Sequence, residues 1–298
     1  APEHEAAWRR VVDFVHAETD AKIRRQIGHA GRKGSTELGW EEMDAPLAEG
    51  NWEIVSASPI PWSERNAVAR GLDGAGMDEI RDQFAAAAEM AERAGFDMIG
   101  LHAAHGHLIS SFIPTLSKVR TDAYGGSLEN RMRWPLAVFR AMRAVWSEEK
   151  PMSARISASD RAGDDGVTAE ESVEIARMFR EAGADIVDVS AGRASTPAKP
   201  VDGRMFQTPS SDRIRNEARV PAMAVGTIHE ADHVNAILMA GRADLVRLAR
   251  PHLSDPYRTP RAGARIGDRH AEWPDPYLAG RDQLWRLADK DAAEAARV

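Results

Sequence analysis

Three stretches of this 298-residue chain share one pattern: Ala94-Gly95-Phe96-Asp97-Met98-Ile99-Gly100-Leu101, Ala182-Gly183-Ala184-Asp185-Ile186-Val187-Asp188-Val189 and Ala240-Gly241-Arg242-Ala243-Asp244-Leu245-Val246. In each, a helical pattern ends in Ala-Gly and an Asp then leads into an apolar run. The glycine suits a left-handed helix terminus, and the apolar run reads as a buried strand. Thr168 with Glu171, and Thr227 with Glu230, have the spacing of a capping box and mark two helix starts. Extending this reading gives six candidate strands, near 22–28, 96–102, 152–157, 185–190, 221–226 and 244–249. Amphipathic helices separate them near 3–17, 78–94, 128–146, 169–182, 212–218 and 229–240. The alternation predicts an α/β fold with a parallel sheet. A closed barrel of this kind needs eight strands. The expectation is therefore a (β/α)8 TIM barrel whose first two strands are absent from this chain, which makes it part of a longer polypeptide.

Residues 30–76 interrupt the alternation with a segment rich in Gly, Pro, Trp and Ser. It is too long for an idle connection and reads as a lid-like insertion with a hairpin around Ile54-Val55. Residues 251–298 read as a C-terminal extension closing in a helix. With no low-complexity linker in view, 1–298 reads as one domain.

Composition removes several function classes. The absence of cysteine excludes disulfides, thiolate metal sites, iron–sulfur clusters and cysteine nucleophiles. A net charge of −7, from 39 basic and 46 acidic side chains, argues against nucleic-acid binding. No apolar run has the length of a membrane helix and no secretory pattern opens the chain, so the expected address is cytoplasmic.

In βα-barrels chemistry gathers where strands end. The candidate strands end in Gln26-Ile27-Gly28-His29, His102-Ala103-Ala104-His105-Gly106-His107, Arg155 with Ser157, Ser190-Ala191-Gly192, Gly226-Thr227 and Ala249-Arg250. Gly226, with a helix start following, and Arg250 suit an anion such as phosphate. Gln26 and Arg155 can read the edge of a polar heterocycle. His102 and His105 can bind metal, relay protons or hydrogen-bond a substrate oxygen. The other strand ends offer Gln, Arg, Ser and Gly, a poor metal ligand set, so no metal is expected. A phosphorylated heterocyclic cofactor fits these residues. None of the six lysines sits on a strand end, which disfavours pyridoxal phosphate and leaves flavin mononucleotide (FMN).

The run His102-Ala103-Ala104-His105-Gly106-His107-Leu108-Ile109, continued by Arg120-Thr121-Asp122-Ala123-Tyr124-Gly125-Gly126-Ser127-Leu128-Glu129-Asn130-Arg131, resembles the old yellow enzyme family of flavin-dependent ene-reductases. Gln26 through His29-Ala30-Gly31-Arg32-Lys33, Arg155-Ile156-Ser157-Ala158 and the Gly241–Val246 stretch agree, so the resemblance covers the whole chain. Gly31-Arg32-Lys33-Gly34-Ser35-Thr36, Glu49-Gly50-Asn51-Trp52, Gly203-Arg204-Met205-Phe206-Gln207-Thr208-Pro209 and Tyr277-Leu278-Ala279-Gly280 resemble a narrower branch. That branch is the C-terminal reductase-like part of the bifunctional aryl-CoA hydroxylases, 2-aminobenzoyl-CoA monooxygenase/reductase and salicylyl-CoA 5-hydroxylase.

The resemblance implies FMN as cofactor, with NADH or NADPH as reductant. Gln26 and Arg155 are expected at the flavin ring, with Ser190 and Gly192 also in the cofactor set. Gly226, Ala249 and Arg250 are expected around the phosphate. His102 and His105 would hold a substrate carbonyl oxygen while the flavin N5 delivers hydride to an activated C=C bond. The family usually places a proton-donating tyrosine where this chain has His107. The implied partners are a small-molecule substrate, taken here as a CoA thioester of a dearomatised ring, a linked flavin monooxygenase domain and further copies of the chain in a homo-oligomer. Two other readings stand beside this one: a stand-alone enone reductase or amine dehydrogenase, and a non-catalytic barrel kept as an assembly domain.

Overall fold

The computed structural model describes residues 1–163, 165–192, 194 and 203–297. In chain order the elements up to residue 246 are α1 (Pro2–Glu18), β1 (Arg24–Ile27), β2 (Val55–Ser56), β3 (Arg70–Gly71), α2 (Gly74–Arg93), β4 (Met98–Ala103), α3 (Leu128–Val145), β5 (Met152–Ser157), α4 (Ala169–Glu181), β6 (Ile186–Ser190), α5 (Thr208–Arg213), β7 (Ala222–Ala224), α6 (Ala231–Met239) and β8 (Leu245–Val246). The six strands read from the sequence lie in one curled, wholly parallel sheet of order β1-β4-β5-β6-β7-β8. Helices return the chain from strand to strand, as parallel connections require.

The repeated aspartate explains the pattern that announced the fold. Asp97, just ahead of β4, donates its N–H to Ile23 O (3.0 Å) and accepts from Ile23 N at Oδ2 (2.8 Å). Asp185 does the same with Met152 (2.9 and 2.8 Å), and Asp244 with Ala222 (2.8 and 2.9 Å). Each carboxylate thus satisfies the N–H at the start of the neighbouring strand, and the backbone returns the bond. Three of the strand pairs are pinned in register by the same two-bond clamp.

One face of the sheet packs on helices. Ile99, Leu101, Ala154, Ile156, Val187 and Val189 are buried there with Phe84, Phe139 and Phe179. Phe139 and Phe179 meet edge to face at 5.4 Å, and Trp134 donates its indole N–H to Met77 O. Asp73, Ser127 and Thr168 cap the N-termini of α2, α3 and α4 through their side chains, so Thr168 performs the role its spacing suggested. Thr227 does not: α6 begins at Ala231, and Thr227 adopts φ 48° with its carbonyl accepting from Met205 N. The predicted helix at 212–218 is α5 continued by a π-type turn over Ile214–Ala218.

The hairpin expected around Ile54-Val55 does not form. Val55–Ser56 pairs in parallel with Arg70–Gly71, and Ile54 through Ser58 are buried, whereas Trp40 and Trp52 are exposed.

The described chain divides into two compact units, Ala1–Thr227 with Ile237–Val246, and Ile228–Ala236 with Arg247–Val298. The smaller carries α7 (Arg250–Ser254), α8 (Arg258–Arg265) and α9 (Leu278–Ala295), with Tyr257 stacked on Trp273 at 6.1 Å. Among the described residues no helix is long and apolar enough to cross a membrane.

The clamp predicts a stability cost. Asp244→Ala and Asp185→Ala each leave a strand N–H without its carboxylate and should destabilise the chain by about 1–2 kcal/mol. Thermal melts should fall by about 2–4 °C per kcal/mol; unchanged melting of both variants would refute the clamp.

Candidate active site

Alternation along each strand sends every second residue to the other face of the sheet, and that face is polar. Gln26 stands beside Gly100 and Gly100 beside Ser153. His102 pairs with Arg155 and Arg155 with Asp188, while Ser157 pairs with Ser190. Gln26, His102, Arg155 and Ser190, read from the sequence as ends of four separate strands, therefore share one surface.

Beyond β4 the backbone enters the left-handed region at two successive residues, His105 (φ 62°) and Gly106 (φ 75°). A non-glycine residue in that region is costly and needs support from its surroundings. His105 N–H donates to Ser157 Oγ (3.0 Å), Lys33 Nζ donates to His105 O (3.2 Å), and His105 Nε2 lies 2.6 Å from Ser190 Oγ. The turn gathers three imidazoles. Ring centroids of His102 and His105 are 5.2 Å apart, and those of His102 and His107 are 4.5 Å apart. Among the described residues no group of three or more histidines and carboxylates has the arrangement of a metal site.

Electrostatics keep two of these rings neutral. Burial, then Arg155 and His102, push His105 down to about 2. Burial, then Lys33 and Arg155, push His107 down to about 4. At neutral pH both are uncharged imidazoles that donate from one nitrogen and accept at the other. His107 therefore holds no ready acidic proton there; a neutral ring passes a proton on only by taking one up at its other nitrogen.

Ser190, expected among the cofactor contacts, is engaged with His105. Gly192 (φ 73°) donates its N–H to Ser159 O and accepts from Ser157 Oγ. Gly226 (φ 108°) follows β7; a Cβ there would meet the Gln207 side chain at 2.7 Å. Gly226 belongs to the larger unit, and Ala249 and Arg250 open α7 in the smaller.

The residues present suit FMN. Gln26 Oε1 is buried without a hydrogen-bond partner among the described residues, so the amide oxygen calls for a donor. The Arg155 guanidinium on the same face offers donors to an acceptor. An isoalloxazine edge, with an N–H between carbonyl and ring-nitrogen acceptors, answers both. The missing side chain of Gly28 keeps that surface open beside His102, whose Cβ is 3.0 Å from where a Cβ on Gly28 would stand.

A family model, NADH:flavin oxidoreductase / NADH oxidase, matches residues 2–268. The chain belongs to this family. Membership makes it an FMN-dependent NAD(P)H oxidoreductase, and the old yellow enzyme resemblance holds at the family level. It is 39% identical over 257 residues to an NADPH dehydrogenase of Clostridium acetobutylicum, covering 86% of this chain and 71% of the relative. An NADPH dehydrogenase of Geobacillus sp. (strain WCH70) is 39% identical over 265 residues, with coverage of 89% and 72%. Among solved structures, morphinone reductase superposes with a TM-score of 0.70 at 26% identity, covering 91% of this chain and 72% of that one. A 2-naphthoyl-CoA reductase in complex with 2-naphthoyl-CoA superposes with a TM-score of 0.75 at 25% identity; this chain spans 40% of that one.

Several site residues carried no role in the sequence reading: Ser157 and Lys33, which hold His105, Gln207 over Gly226, and the pair Arg24 and Asp188 on the polar face. The available signal was a charged residue at a strand position whose neighbours are apolar, as in Ile186-Val187-Asp188-Val189.

The depressed histidines predict an acid-side stability slope. In the unfolded chain His107 takes a proton below about pH 6.5, while the folded ring resists until about 4. Between those values the unfolded state binds more protons, so folding stability falls as pH is lowered. Asp160, raised to about 6 mainly by burial, pulls the total the other way below that pH, so a difference measurement isolates the ring. Denaturant titrations of wild type and His107→Gln from pH 7 to 4 should show a shallower acid loss in the variant. Parallel profiles would refute the neutral, buried state of His107.

Proposed function

We propose that this member of the family reduces an activated C=C bond conjugated to a carbonyl, with His102 and His105 holding the carbonyl oxygen. The convergence of three imidazoles on the polar face that carries Gln26 and Arg155 supports the reading. Bound FMN, once reduced by NAD(P)H, supplies the hydride.

The chain's own residues do the rest. Ring N–H groups of His102 and His105 would donate to the carbonyl oxygen as negative charge develops on it, a stabilisation by preorganised donors. The hydrogen bonds with Ser157, Lys33 and Ser190 fix the strained His105 in place, so no reorganisation accompanies the step. His107 relays the proton that completes the saturated product, taking one from water as it gives one up. Gln26 and Arg155 orient the ring edge, and Gly226, which follows β7, is a proposed phosphate contact. The open edge of β1, flanked by a cleft of about 280 Å³ lined by Trp8, Arg25 and Met90 among others, is the proposed seat of the further strands that an eight-stranded barrel requires.

The proposed substrate class is a cyclic acyl-CoA thioester. The branch motifs support it, as does the likeness to a reductase solved with 2-naphthoyl-CoA. A linked monooxygenase domain, homo-oligomeric assembly and a cytoplasmic address belong to the same proposal.

Phenols mimic the substrate oxygen and give a long-wavelength charge-transfer band when they stack on oxidised flavin. His102→Ala/His105→Ala should retain bound FMN and lose that band, weakening phenol binding by at least about tenfold, or 1.4 kcal/mol. An undiminished band in the double variant would contradict the assignment.

A further inference from the structure

The polar face carries a charge cluster beneath the proposed ring site, and the mechanism above gives it no task. Arg24 leaves β1 and crosses in front of β4 at Gly100 to reach β5 and β6. Its Nη2 donates to Ser153 Oγ (2.6 Å), and its Nη1 stands 3.5 Å from Asp188 Oδ2. Only glycine permits the crossing. A Cβ on Gly100 would overlap Arg24 Nη2, stand 3.0 Å from Arg24 Cζ and 2.5 Å from Ser153 Oγ. Asp188 is fully buried, and its other oxygen, Oδ1, is 3.7 Å from Arg155 Nε. One carboxylate therefore lies between two guanidiniums.

Burying such a set is expensive, and a fold rarely keeps it for stability alone. The arithmetic of charge suggests a use. Without Arg24, Asp188 would neutralise Arg155 and draw its guanidinium down into the sheet. With Arg24 present, the cluster carries one net positive charge, and Arg155 is the member at the proposed ring edge. Burial lowers Arg24 to about 10, which still leaves it cationic at neutral pH.

Resting on the FMN reading above, we propose that Arg24, admitted by Gly100, is a positioning residue that holds Asp188 and keeps the positive charge of Arg155 directed at the flavin. The cluster stabilises the electron-rich state of the cofactor, where negative charge gathers after two electrons are taken up, and so sets how readily NAD(P)H reduces it.

The reduction potential of bound FMN, measured anaerobically against a reference dye, tests this without reference to turnover. Arg24→Gln removes a positive charge and should lower the reduced-to-oxidised ratio at fixed potential by about tenfold, equivalent to about 30 mV for a two-electron couple. Asp188→Asn removes a negative charge and should raise it by a similar factor. The double variant Arg24→Gln/Asp188→Asn restores the net charge and should return toward wild type. A residue that merely fills space would not give shifts of opposite sign that cancel. If Arg24→Gln alone fails to fold, Asp188→Asn and the double variant decide the matter. Bound FMN with the same potential in all variants overturns this proposal alone. Wild-type chain that takes up no FMN overturns the functional reading together with it.

Discussion

The structure depends on a two-bond clamp between an aspartate and the first residue of the neighbouring strand. Asp97 on Ile23, Asp185 on Met152 and Asp244 on Ala222 each tie one strand start to the next by reciprocal hydrogen bonds. In a sheet, a slip of one residue exchanges the two faces. Here one face is a dense apolar layer and the other carries Arg24, Gln26, His102, Arg155 and Asp188, so a slip would bury charge among phenylalanines and expose the core. The clamps forbid it. The clamp between Asp185 and Met152 fixes the register that sets Arg155 beside Asp188, and the β4–β5 ladder sets His102 beside Arg155.

That polar face is where the fold sacrifices stability for chemistry. Apolar side chains of similar volume would pack more favourably than buried guanidiniums and a carboxylate. Instead the chain retains a left-handed histidine, two imidazoles driven to neutrality by burial and nearby cations, and an amide oxygen without a partner among the described residues. Each is costly by itself. Together they describe a surface arranged around a ligand that has both donors and acceptors along one edge. FMN supplies such an edge, and the chain belongs to the NADH:flavin oxidoreductase / NADH oxidase family.

The strand positions were legible in the sequence because Ala-Gly followed, after one or two intervening residues, by Asp repeats, although the reason for the aspartate was not: its partner lies on another strand, more than twenty residues away. Gln26, His102, His105 and Arg155 were legible as polar endings to apolar runs. Ser190 was legible as a strand ending, but its bond to His105 was not, since that bond depends on how the loop after β4 folds back over β6. Arg24 was hidden among the arginines of a basic stretch, and only the empty space at Gly100 gives it a path inward. The supposed hairpin at Ile54-Val55 failed because its partner strand, Arg70–Gly71, runs in the same direction.

The central claim is that this polar face binds FMN. Titration of the purified chain with FMN, followed by quenching of flavin fluorescence and by the shift of its visible band, tests it most directly. The account predicts saturable binding of one FMN per chain, weakened at least about tenfold when Gln26 and Arg155 are both replaced by Ala. FMN that binds no more tightly to wild type than to that double variant would contradict it.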